Sequence, residues 1–137
     1  MIEIYSRVDP TQLLHIIHRK RETVPGRLDM IDPEHALQVA VLRPNKGQTY
    51  KPHRHDLNVN DIAPHHAYES WVVVSGAVQC ILYDIDDTVI HTDILEQGDI
   101  SVTLAGGHNY VIMGEETIVY EFKTGPYVGI EMDKTMI

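Results

Sequence analysis

Cysteine, tryptophan and phenylalanine each occur once in this chain of 137 residues, as Cys80, Trp71 and Phe122. A single thiol excludes an intrachain disulfide and a zinc ribbon. Its setting, Val78-Gln79-Cys80-Ile81-Leu82, makes Cys80 a buried small apolar residue rather than a reactive one. Basic residues are scarce too: 11 Lys and Arg stand against 20 Asp and Glu, a formal charge of -9. Such a surface repels phosphates, so neither nucleic acid nor an anionic membrane is an expected partner. The one basic cluster, His18-Arg19-Lys20-Arg21, is short enough to be a solvated face. No apolar run reaches the length of a membrane span. The start, Met1-Ile2-Glu3-Ile4-Tyr5, lacks the basic and apolar regions of a secretory leader, so the expected compartment is the cytoplasm.

What the chain does have is a run of short β-branched segments. From Leu37 onward these span about 37–43, 48–55, 68–75, 77–84, 89–95, 99–104, 108–113 and 117–123. Turn residues punctuate them: Pro44 to Gly47, Gly76, Asp86-Asp87, Gln97 to Asp99, Gly106-Gly107 and Gly114 to Glu116. Strands at this spacing with no helix between them indicate an all-β antiparallel sandwich or barrel. Before them, Leu13, Leu14, Ile16 and Ile17 follow Asp9 and Thr11, a pattern that predicts a short amphipathic helix. Residues 22–36, rich in Pro, Gly and Asp, read as loop. No repeat or linker interrupts the chain. One domain is expected, with 1–36 as a helix-and-loop extension and 37–137 as a β-barrel with a C-terminal tail.

Chemistry concentrates in the histidines. His53 and His55 lie two apart in a predicted strand, so both imidazoles leave the same face and can converge on one ion. Glu69 opens the next apolar run and can add a carboxylate from a neighbouring strand. Two nitrogens and a carboxylate with open positions suit a divalent transition metal.

The stretch Gly47 to His55, with Gly, five residues and His-x-His, resembles the first motif of the cupins; Glu69 to Gly76 reproduces its Glu, six residues and Gly. Thirteen residues separate His55 from Glu69, where the family pattern has three or four, and this insertion, with Pro64-His65-His66, is placed to overhang the site as a lid. Gly98 to His108 resembles the second motif, with Leu104 in place of a proline and His108 one residue early. Asn109 occupies the strict position, but an amide is the poorer ligand, and His108 is preferred. The resemblance spans about residues 37–127. It implies a cupin-type antiparallel β-barrel or jelly roll holding one divalent metal (Fe, Mn, Ni or Zn) through His53, His55, Glu69 and His108. Tyr120 to Tyr127 also resembles short cupins of polysaccharide assembly. The activity implied is metal-dependent isomerisation, epimerisation or oxygenation of a small polar, carbohydrate-related molecule. A non-catalytic ligand-binding or sensing module and a metal-free sugar-nucleotide isomerase are the alternatives.

Strand pairing adds further expectations. If Gly114-Glu115 closes a two-residue hairpin, His108 faces Glu121 and Glu121 accepts its second N–H, with Tyr110 and Lys123 nearby as catalytic candidates. Trp71 shares parity with Glu69 and points inward as core. Lys51 shares parity with His53 and is placed to meet an acidic substrate, whereas Tyr50 and Arg54 point away. His15, His18, His35 and His91 are surface or interface residues. Trp71 to Val74 is apolar on both faces, so the outer face needs a cover, either the N-terminal segment or a second subunit, and a homodimer is the more economical expectation.

Overall fold

The computed structural model describes residues 1–55, 68–126 and 134–137. The strands are β1 (Ile2–Tyr5), β2 (Leu13–Ile17), β3 (Gly26–Asp29), β4 (Leu37–Arg43), β5 (His53–His55) and β6 (Glu69–Ser75). They continue as β7 (Ala77–Tyr83), β8 (Val89–Glu96), β9 (Ile100–Thr103), β10 (Gly107–Ile112), β11 (Ile118–Thr124) and β12 (Lys134–Met136). Two five-stranded antiparallel sheets result, in the orders β12-β5-β10-β7-β8 and β3-β4-β11-β6-β9, and β1 and β2 form a separate pair. The architecture is a sandwich of two open sheets rather than the closed barrel expected.

Alternation builds the core between the sheets. Trp71 and Val73 on β6, Val78 and Cys80 on β7, Tyr110 and Ile112 on β10, Ala40 and Leu42 on β4 and Val119 on β11 are all buried there. Trp71 stacks on Tyr110 across the sandwich at 4.0 Å between ring centroids and 10° between planes. Both Trp71 and Cys80 are inward, as their parity and setting predict. Gly76 lets β6 reverse into β7: its φ is +79°, and a Cβ there would run into Thr117.

Four local expectations fail for identifiable reasons. Residues 13–17 form a strand, not a helix, because Ile2 to Tyr5 pairs with them antiparallel. Asp9 and Thr11 make the turn between the two strands: Asp9 Oδ1 accepts from the Thr11 N–H at 3.0 Å and from its hydroxyl at 2.7 Å. The residues that cap a helix equally close such a turn. Among the described residues the only helical element is a 3₁₀ turn at Lys20–Glu22. The predicted loop 22–36 contains β3, which pairs with β4. Gly114-Glu115 does not close a hairpin, since β10 and β11 belong to different sheets. Tyr50 is half-buried with its ring edge on Trp71, at 5.6 Å and 82°, because β5 begins only at His53 and strand parity does not carry back past Pro52. No helix among the described residues is long and apolar enough to cross a membrane.

Candidate metal centre

One sheet supplies three imidazoles. His53 on β5 is the cross-strand neighbour of His108 on β10. His55, two residues further along β5, leaves the same face. The ring centroids lie 4.9 Å apart for His53 and His55, 4.8 Å for His53 and His108, and 5.5 Å for His55 and His108. The facing sheet supplies the carboxylate: Glu69, at the start of β6, points inward with Trp71 and Val73. Glu69 Oε2 lies 2.8 Å from His55 Nε2, and Oε1 lies 3.2 Å from His108 Nε2. All four residues are buried, and one donor atom from each falls within 4.8 Å of the other three.

The surroundings favour donors ready to bind a cation. His53 Nδ1–H donates to the Lys51 carbonyl at 2.7 Å, which fixes the tautomer and directs the Nε2 lone pair inward. That Nε2 and His108 Nδ1 are buried with no hydrogen-bond partner among the described residues. Such orphaned atoms are uncommon in a folded interior. Burial pushes the His53 imidazole down to about 4, so it is neutral at physiological pH. Burial opposes ionisation of Glu69, but contacts with His108 and His55 outweigh it and hold the carboxyl well below the usual range. Three nitrogens and one carboxylate, dry and mutually close, are a donor set that can hold a divalent transition metal.

Glu69 is held from behind. Trp71 Nε1–H donates to Glu69 Oε1 at 3.1 Å and to Glu121 Oε2 at 3.2 Å. Glu121 is inward, as expected, but it does not meet His108. Its Cα partners are Ala40 and Trp71, and its other oxygen pairs with Arg27 at 2.8 Å. Arg27 also binds Asp29 at 2.7 Å. Arg27 lies in the segment 22–36, expected as loop, and is not among the expected site residues. In the sequence it carries no signal beyond following Gly26.

A cavity of about 410 Å³ adjoins the cluster, lined by Arg27, Asp29, Gln38, Glu121, Lys123 and Lys134 among others. Lys123 is the cross-strand partner of Glu69, and Lys134 is that of His55. Of the catalytic candidates, Glu121 and Lys123 reach this cavity. Tyr110 lies in the core, its hydroxyl 2.8 Å from that of Ser101, and burial pushes its phenol well above the ordinary value. Lys51 is exposed, and Arg54 pairs with Asp87 at 2.6 Å. Asn109 Oδ1 accepts from the Tyr110 backbone N–H at 2.7 Å, and alternation along β10 turns its side chain to the face opposite His108. His65 and His66 lie outside the described residues.

No protein-family model and no curated protein matches the chain. Solved structures do. KdgF from Halomonas sp. aligns with a TM-score of 0.56 at 19% identity, over 77% of this chain and 81% of its own. A protein with a double-stranded β-helix domain from Klebsiella pneumoniae aligns with a TM-score of 0.59 at 21% identity, over 82% and 91%. The chain has a cupin-type fold. The capsular polysaccharide assembling protein CapF of Staphylococcus aureus aligns with a TM-score of 0.62 at 19% identity, over 81% of this chain. The present chain spans only 31% of the CapF chain. At these identities the likeness is one of fold, and any activity has to be argued from this chain's own residues.

Proposed function

We propose that this cupin binds one divalent transition metal through His53, His55, Glu69 and His108 and acts on a small polar molecule in the adjoining cavity. The observation that carries the reading is the buried donor set itself, with His53 Nε2 lacking any protein partner among the described residues. The metal would act as a Lewis acid toward substrate oxygens, with the protein leaving coordination positions open. The chain's own groups do the rest. Glu121 and Lys123 line the cavity on the inward face of β11, where they can orient a ligand and exchange protons with it. A carbohydrate-related substrate, as the name of CapF suggests for that protein, fits the hydrogen-bonding wall.

We propose in addition that the chain pairs as a homodimer. The outer face of the second sheet carries two mostly apolar rows across its strands. One runs Val102, Ser70, Phe122 and Val39; the other runs Ile100, Val72, Tyr120, Val41 and Leu28. His18 reaches Tyr120 at 3.2 Å, while Ile100 and Val102 at the far end are exposed.

Replacing His53 and His55 together by Ala tests the metal site. The variant should keep the fold by circular dichroism and lose its metal by plasma mass spectrometry. Metal retained in full by a folded double variant would refute the assignment.

A further inference from the structure

Among the described residues, the two five-stranded sheets end in four edge strands, and three of them are short. β3 and β9 have four residues each and β12 has three, whereas β8 has eight. A long open edge is a row of unpaired backbone donors and acceptors, which proteins blunt with lysine, proline or brevity. Val89 to Glu96 contains no Lys, Arg or Pro, and Val89, Ile90 and Ile94 are each more than half exposed. The Ala77 carbonyl accepts from the Met113 N–H at 2.9 Å. Odd-numbered residues of β7 therefore turn their backbone groups toward β10, and even-numbered ones toward β8. The partners of Val78, Cys80 and Leu82 on β8 are Leu95, Asp93 and His91. Those three bond to β7, so the N–H and C=O groups of Thr92 and Ile94 between them face the open side.

We infer that β8 is an interaction surface for a second copy of this chain, the two strands pairing antiparallel about a two-fold axis at Thr92. In that register Thr92 exchanges both backbone bonds with Thr92 of the second copy, and Ile94 lies opposite Ile90. His91 lies opposite Asp93 on both sides of the axis, an imidazole donor against a carboxylate acceptor. Within one chain these two side chains stand 3.7 Å apart and mostly exposed, too far for a hydrogen bond, so each has capacity for its counterpart in the second copy. Moving the axis to Asp93 would set two carboxylates face to face, which is destabilising. Moving it to Ile94 would set Thr92 against Glu96, whose N–H already donates to Asp99 Oδ2 at 2.9 Å. The pairing joins two five-stranded sheets into one of ten strands. It uses the sheet opposite the apolar rows of the proposed dimer and none of the metal donors, so it goes beyond both readings and depends on neither.

Such a pairing buries little more than one edge, so it is weak and shows at high concentration. Sedimentation of the full chain from about 10 µM to about 1 mM should show the mass rise toward double its low-concentration value, whether that value is one chain or two. Ile94→Lys should hold the mass at the low value with metal content unchanged. Thr92→Pro should do the same, because the Thr92 N–H serves no bond to β7. Val102→Glu, on the other sheet, should still double, so failure of the face dimer and failure of the edge pairing are distinguishable. Cross-linking reads the register, since the native thiol, Cys80, is buried. Thr92→Cys should link to its own copy through a short thiol reagent at least about tenfold faster than Ile94→Cys, whose two copies stand about 14 Å apart along the strands. A mass that stays constant across the range, doubling that persists in folded Ile94→Lys, or Ile94→Cys linking as fast as Thr92→Cys would each overturn the inference.

Discussion

Trp71 ties the candidate metal ligand to the cavity wall. Its single N–H is shared between Glu69 and Glu121, whose other oxygen is bound by Arg27, so the orientation of Glu69 depends on residues that contribute no donor atom. Removing the indole N–H while keeping an aromatic ring should loosen the ligand without emptying the core. Trp71→Phe is expected to weaken metal affinity about tenfold, the usual effect of losing a bond that orients a ligand. Competition with a chelating dye measures it, and unchanged affinity would remove Trp71 from the site's support. Titration gives a second residue-scale expectation. His53 is depressed to about 4 from 6.5, so below pH 6.5 the unfolded chain takes up a proton there that the folded one refuses. Glu69 is depressed as well, and its contribution is lost as the pH falls from about its unfolded value toward its folded one. Both act in one direction: the melting temperature of the metal-free protein should fall as the pH drops from 6.5 to 4, as calorimetry at several pH values would show. At this scale the site was legible, because His53 and His55 are two apart and the parity of a strand puts them on one face. The Glu121–Arg27 pair was not. Ninety-odd residues separate the two, and only the placement of β3 beside β4 brings them together.

At the scale of elements, turns decide more than strands. Gly76 holds a positive φ directly over Thr117, where a methyl group has no room. Gly76→Ala should cost about 2 kcal/mol or more, measured by urea unfolding, whereas a change under half of that would show that the turn relaxes. The strands β4 and β6 through β11 were readable, because their apolar, β-branched runs are long enough and a turn residue closes each one, whereas of the expected run 48–55 only His53 to His55 is a strand. Three features were not. Asp9 and Thr11 signal a chain reversal but not its kind, so β2 passed for a helix. The connection from Ile112 to Ile118 is short enough for a hairpin, yet it carries the chain from one sheet to the other. That crossing moves Glu121 away from His108. Lys134-Thr135-Met136 has no alternation of its own and is a strand only because His53 to His55 offers an edge to pair with.

For the whole molecule, the apolar rows on the outer face of the second sheet bear on assembly. Light scattering on the eluting protein should give the mass of two chains. Val102→Glu, at a side chain 56% exposed, should yield a monomer that keeps its metal, while a wild-type monomer would dispose of the dimer. In the interior, two open sheets bring three imidazoles from one side against a carboxylate from the other. The metal content of the untagged protein, measured by plasma mass spectrometry as purified and after reconstitution, decides whether this cluster is a metal centre. About one equivalent of a divalent transition metal per chain is expected. A protein that holds no metal even after reconstitution would contradict it.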